Sequence, residues 1–176
     1  MKNGNIERVF KNILTVEEEA VLKFYTTKEG YKNFNKALRG EINITDFFKA
    51  QKKLMNSALD KLPNYKSKGV LYRIENLTED QINNIYKKGE VIKNKHFTSS
   101  TYDIDSIAEA MRNRPYTVMI LIKDSKSGKL IENLSTLKIE KEVLFRSDIE
   151  FIVEKISIGT NPETLGAIKT IILKQN

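Results

Sequence analysis

The sequence predicts an α+β domain, because its helical patterns gather in the first third and its β-prone runs follow them. Repeated β-α units of the kind that build a parallel sheet are few. No internal repeat, low-complexity segment or Pro/Gly-rich linker divides the chain, so residues 1–176 read as a single domain.

Thr15-Val16-Glu17-Glu18 is a capping box, and Ala20, Val21, Phe24 and Tyr25 follow at helical spacing. Gly30 is expected to break that pattern. Tyr31, Phe34 and Leu38 then mark a second helix that ends at Gly40. A third helix runs from about Thr45 to Leu62, with Phe47, Phe48, Leu54, Met55, Ala58 and Leu59 on one face and Pro63 as its stop. After Gly69, Val70-Leu71-Tyr72 is a short β-prone run that leads into Arg73. Thr78-Glu79-Asp80-Gln81 caps a helix bearing Ile82 and Ile85. Short β-prone pieces lie at Val91-Ile92 and Phe97–Thr101, and a helix spans about Asp103–Arg112. Tyr116–Ile122 is too apolar for a strand with one wet face and predicts burial on both. Ser127-Gly128 is a turn, Leu130-Ile131 a short strand and Asn133–Lys138 a loop. Strands follow near Val143–Phe145, Ile149–Ile158 and Ala167–Lys174.

Composition narrows the chemistry. With 40% apolar and 30% charged residues, the chain has a globular balance and enough length for a real core. The absence of cysteine removes disulfides, thiol nucleophiles and zinc-thiolate sites. The single histidine, His96, reads as a surface residue, and no carboxylate cluster suggests a metal site, so no metal is expected. The start MKNGNIERVF contains neither a signal-like nor a membrane-spanning apolar stretch, and no membrane contact is expected. The net charge of +7 would suit an anionic cofactor, an acidic protein surface or nucleic acid. Basic residues are scattered among acids and no nucleic-acid motif is present, which argues against a nucleic-acid partner.

Three polar points stand at the ends of apolar strands, where a sheet opens onto a cleft. They are Arg73, the run Ser99-Ser100-Thr101, and Glu140/Glu142 in IEKEVLF (139–145). If that last stretch were extended, both glutamates would point the same way, about 6–7 Å apart.

In this order the three points resemble the arginine–serine–glutamate class of ADP-ribosyltransferases, with the enzymatic components of clostridial binary toxins and the Rho-modifying exoenzymes as the nearest likeness. LTVEEEAVLKFYT (14–26) and NKALRG (35–40) are similar to the helical lobe of that family. LPNYKSKGVLYR (62–73) resembles the approach to its first motif, FTSST (97–101) its second, and SGKLIENLSTLKIEKEVLF (127–145) its catalytic loop and strand. The likeness covers about residues 14–157. Ile74 replaces the glycine that often follows the first arginine, and Ser-Ser-Thr replaces Ser-Thr-Ser. The aromatic residue common in the loop after the second motif has no obvious match, and Met111 is the stand-in.

The resemblance implies a helical lobe followed by a mixed, largely antiparallel two-sheet core, and NAD as substrate. It implies Glu142 as the catalytic carboxylate, with Ser99 orienting it. Arg73, Arg39, Asn35, Tyr25, Ser99 and either Arg112 or Arg114 are the implied NAD contacts. Glu-x-Glu goes with arginine acceptors in this family, so Glu140 is expected to take the proton of an acceptor guanidinium. Leu137 and Lys138 in the preceding loop are expected to meet the target protein. Actin is the first guess for that target. The chain is expected to act as a monomer in the cytoplasm of a cell into which a separate component delivers it. The alternatives are an NAD glycohydrolase and a phage-type enzyme that modifies host transcription proteins.

Overall fold

The computed structural model describes residues 9–66, 69–112 and 116–176. Three helices come first: α1 (Val16–Tyr25), α2 (Lys28–Arg39) and α3 (Asp46–Lys61). The capping box of α1 forms as its sequence predicts. Glu18 N–H donates to Thr15 Oγ1 at 3.2 Å, and Thr15 N–H donates back to the Glu18 carboxylate at 2.9 Å. The same carboxylate accepts from Lys61 Nζ at 2.7 Å and Ser57 Oγ at 2.8 Å, which ties α1 to the end of α3.

Gly30 does not break the helical pattern. It lies in the first turn of α2, where its N–H donates to the N-cap Thr27. Its lack of a side chain lets the start of α2 press against the end of α1: a Cβ here would stand 1.9 Å from the carbonyl oxygen of Phe24. Because the obstacle is backbone, Gly30→Ala is expected to cost about 1–3 kcal/mol. The measurement is a lowered midpoint of thermal unfolding; an unchanged midpoint would mean that the two helices can separate freely.

The remaining elements are β1 (Leu71–Glu75), α4 (Glu79–Ile85), β2 (Val91–Asn94), β3 (Thr98–Thr101), α5 (Ile104–Arg112), β4 (Val118–Lys123), β5 (Lys129–Leu130), β6 (Glu142–Phe145), β7 (Ile149–Thr160) and β8 (Ala167–Gln175). Their order across the sheet is β2-β7-β8-β4-β1-β3-β6-β5. The β4–β8 pair is parallel and the others are antiparallel.

The order is continuous, but β1 and β3 meet at a single residue pair, Tyr72↔Thr101. That narrow junction divides the strands into two blades, β2-β7-β8-β4-β1 and β3-β6-β5. Leu71, Ile120, Ile171 and Phe151 of the first share one buried cluster with Val143 and Phe145 of the second. The blades therefore face each other across a common core, the two-sheet arrangement that the resemblance implies. The helical lobe covers the other face of the small blade, where Leu22, Phe34, Met55 and Leu59 pack with Phe97 and Leu144. On the large blade, Ile107 and Met111 of α5 pack against Met119 and Ile168.

The run 116–122 supplies β4, which lies between β1 and β8; Val118, Ile120 and Ile122 enter the central core while Met119 faces α5, so both faces are buried. Several residues expected on the apolar helix faces are exposed instead, among them Phe24 at 43%, Tyr31 at 39% and Ile85 at 43%. Phe47 is 65% exposed, because adjacent helical positions diverge by about 100° and Phe48 takes the inward place.

Candidate active site

The site lies where the blades part. Along β1, Leu71, Arg73 and Glu75 share a face by strand alternation. Leu71 fills the central core; two residues later β3 has left the ladder, and the same face becomes a cleft wall. There the Arg73 guanidinium donates through Nη1 to the Ser99 carbonyl at 2.9 Å and through Nε to Glu75 Oε1 at 2.8 Å. Tyr86 hydrogen-bonds the same Glu75. Arg73 is thus fixed across the junction by groups from β1, β3 and the end of α4, with its side chain only 21% exposed.

β3 and β6 pair with Thr101 opposite Glu142 and Ser99 opposite Leu144. Directly paired residues share a face, so Ser99 and Glu142 lie on the same side of the small blade. The Ser99 side chain hydrogen-bonds the Glu142 carboxylate. Its neighbour Ser100 points the other way and donates to the Val143 carbonyl at 2.8 Å. Glu142 is 5% exposed. Burial and the nearby Glu140 push its carboxyl up to about 7, against the opposite pull of Ser99 and Arg73.

Glu140 is not on the strand. Lys138–Glu140 form one 3-10 turn, and Lys141 closes it in the left-handed region at φ 45°. That conformation costs an L-residue about 1–2 kcal/mol and needs outside support. Lys141 Nζ pairs with Asp103 Oδ2 at 2.7 Å and sits 5.9 Å from the centre of the Tyr102 ring. Ser106 Oγ lies 2.8 Å from the Ile139 carbonyl. The two glutamates therefore share the cleft through a turn, not through the alternation of an extended strand. Burial raises the Glu140 carboxyl, yet its side chain remains largely accessible at the rim.

Two cavities meet at Arg73, Ser99, Glu140 and Glu142. The larger, about 670 Å³, is walled by α2 and the end of α1. It falls within the range of small-molecule and cofactor sites. The smaller, about 190 Å³, lies between β1, β3 and α5, with Tyr72, Ile74 and Ser106 on its wall. Tyr25 and Asn35 form part of the large cavity's floor: Asn35 Nδ2 donates to the Tyr25 hydroxyl at 2.9 Å, and that hydroxyl lies 3.4 Å from the Phe97 carbonyl. Burial pushes the Tyr25 hydroxyl up, so it stays protonated. Arg39 reaches the same cavity from α2 and pairs with Glu41.

Most of the expected site residues converge here: Tyr25, Asn35, Arg39, Arg73, Ser99, Glu140, Glu142 and Leu137 all line the large cavity. Leu137 is 52% exposed at its mouth, with the exposed Lys138 next to it and Ile139 more exposed still at 64%. Arg114 lies outside the described residues. Arg112 is turned to Glu163, with Nε donating to Oε2 at 3.1 Å, and does not line either cavity. Met111 does not stand in for the aromatic residue, since it is buried against Ile107 and Met119; Tyr116 lines both cavities instead.

His96 is also on the large cavity's wall, not on an open surface. Burial, then the guanidiniums of Arg73 and Arg39, push its imidazole down to about 4, against Glu75 and Glu41. It is neutral at pH 7 and retains one donor and one acceptor. Lys28, Lys32 and Lys36 line the cavity as well, and their spacing of four on α2 was a readable signal of one cationic face. Among the described residues, no group of three His, Cys, Asp or Glu side chains is placed to hold a metal ion. No helix among them is long and apolar enough to cross a membrane.

The family model for the ADP-ribosyltransferase exoenzymes matches residues 3–175. The NAD(+)–protein-arginine ADP-ribosyltransferase Tre1 of Serratia proteamaculans is 30% identical over 144 residues, 80% of this chain. The match spans 29% of the length of Tre1. Exoenzyme S of Pseudomonas aeruginosa, solved with human 14-3-3 protein beta and carba-NAD, superposes with a TM-score of 0.74 at 17% identity, over 94% of this chain and 76% of the other. Vis toxin, an ADP-ribosyltransferase from Vibrio splendidus, gives 0.71 at 24% identity, over 94% and 75%. These two likenesses are of fold.

Proposed function

The chain belongs to the ADP-ribosyltransferase exoenzyme family, and from that premise we propose that it transfers ADP-ribose from NAD to an arginine side chain of a target protein. The observation behind the arginine acceptor is the pair of unlike carboxylates on one cleft: Glu142 buried against Ser99, Glu140 accessible at the rim.

NAD occupies the large cavity, with its pyrophosphate taken by the guanidiniums of Arg73 and Arg39, which suit paired phosphate oxygens better than ammonium groups do. The lysines of α2 add a positive field that draws the dinucleotide in. The bond between the ribose C1′ and the nicotinamide nitrogen breaks, and its electron pair leaves with neutral nicotinamide. Positive charge develops on the sugar, and the fixed Glu142 carboxylate stabilises it more than the ground state. A guanidinium nitrogen then bonds to C1′ while Glu140 removes its proton. Tyr116 gives the nicotinamide region an apolar face. Leu137, Lys138 and Ile139 present the surface that a target first meets.

The acceptor protein is an intracellular one, with actin first among candidates, and the enzyme works as a monomer in a cell that it enters with a delivery component. Incubation of cell lysates with enzyme and labelled NAD, followed by peptide mass spectrometry, tests the reading. Label is expected on arginine. Label on asparagine or cysteine, or only as free ADP-ribose, would refute the acceptor assignment.

A further inference from the structure

The turn that bears Glu140 has no regular partner strand, yet it is tied down at both ends. At its start, Thr136 N–H donates to Thr26 Oγ1 at 3.1 Å, which moors it to the end of α1. At its finish, the supports come from Asp103, just before α5, and from Ser106 in its first turn. Asp103 divides its carboxylate between two tasks. Oδ1 accepts from the Asp105 N–H at 3.3 Å, and Oδ2 accepts from Lys141 Nζ at 2.7 Å. Ser106 Oγ lies 3.1 Å from Asp103 Oδ2 and 2.8 Å from the Ile139 carbonyl, and its hydroxyl has one proton to give. Both oxygens compete for that proton, and the Ile139 carbonyl is the nearer of the two. The residues on either side of Glu140 are therefore both gripped at the start of α5, one through its carbonyl and one through its ammonium.

Lys141 is gripped from a second side as well. Its ammonium lies over the Tyr102 ring, and the Tyr102 hydroxyl donates to Glu132 Oε2 at 2.9 Å. Lys141 draws Asp103 below the ordinary carboxylate range, so the pair is charged at neutral pH. Asp103 lines neither cavity, and neither does Lys141.

We propose that Asp103 and Lys141, helped by Ser106, form a clamp between α5 and the Glu140 turn, and that they are positioning residues for the acceptor step. The proposal rests on the reading of Glu140 as the group that receives the acceptor proton. A base misplaced by about 1 Å loses on the order of 10²-fold in rate, while the buried Glu142 is held independently by β6 and Ser99.

The test uses Asp103→Asn, which keeps an oxygen for the Asp105 N–H, and Lys141→Met, which keeps an unbranched side chain but takes the ammonium away from both Asp103 and Tyr102. Each is expected to lower transfer to a small guanidine acceptor by about 10- to 100-fold while NAD hydrolysis and the KM for NAD stay within about twofold. The double variant should be no worse than Lys141→Met alone, because both single changes break the same Asp103–Lys141 ion pair. Placed in a Glu140→Gln background, neither should lower transfer further. Equal loss of hydrolysis and transfer, persistence of the loss in that background, or no loss at all would each overturn the clamp. Hydrogen exchange gives a readout independent of the acceptor: amides 138–141 should exchange faster in both variants. A wild-type enzyme that hydrolyses NAD but modifies no guanidine would defeat the proposed function; unchanged exchange in the variants would defeat the clamp.

Discussion

Glu142→Gln is expected to abolish NAD hydrolysis and ADP-ribose transfer together, each by at least ~10²–10³-fold, with the KM for NAD little changed. The amide keeps the shape and can still bond to Ser99, but it removes the charge that faces the developing sugar cation. Loss of a group that acts on the transition state appears in kcat, not in KM. The ionised form of Glu142 is the competent one, and its carboxyl titrates at about 7 in the free protein. The kcat/KM for hydrolysis should therefore rise about tenfold per pH unit below 7 and level off above it.

The same burial makes a prediction of the opposite sign for stability. The folded value is about 7 against an ordinary value of 4.5, so the folded state holds its proton over a window where the unfolded chain has released it. Stability due to this group is full below 4.5, falls as pH rises through that window, and is constant above it. The raised value corresponds to about 3 kcal/mol above pH 7. Glu142→Gln should thus melt at a higher temperature than the wild type at pH 8, with the advantage shrinking toward pH 4.5. An enzyme that gave up stability at the residue it needs for catalysis is the expected trade-off. A variant with unaltered hydrolysis, or one less stable at pH 8, would show that Glu142 is a structural carboxylate.

How much of this site was legible in the sequence depends on how local each interaction is. The caps Thr15/Glu18 and Thr78/Gln81 form within four residues, and both were readable as written. Arg73, Ser99 and Glu142 were readable as polar ends of apolar strands in a known order, because strand alternation alone decides which face each takes. The turn at Glu140 was not. Its shape depends on Asp103 and Ser106, more than thirty residues away, and nothing in IEKEVLF announces the left-handed Lys141. The place of His96 was not legible for a similar reason. Its neighbour Lys95 is exposed, and only the approach of α2, with Arg39, turns the imidazole's position into a cavity wall. Tyr116 was hidden by its company, since the apolar run that follows it reads as buried throughout while the tyrosine itself precedes the strand and meets the cleft.

Glu140→Gln is expected to separate the two activities, lowering transfer to arginine by ~10²–10⁴-fold and leaving NAD hydrolysis largely intact. Hydrolysis needs only Glu142 and a water, whereas a guanidinium is protonated at any ordinary pH and becomes a nucleophile only as a base takes its proton. Glu140 stands at the rim, where an acceptor side chain arrives, while Glu142 lies deeper against Ser99. Two profiles follow from this division. Transfer by the wild type depends on two carboxylates and should fall more steeply on the acid side than hydrolysis, which depends on one. Because the negative charge of Glu140 helps to raise Glu142, its removal should also move the acid limb of hydrolysis below about 7. Rates with and without a guanidine acceptor, measured across pH 5 to 9, resolve both effects. Full-rate transfer by the variant would dismiss Glu140 as the base, and an unmoved acid limb would mean that the two carboxylates do not sense each other across the turn.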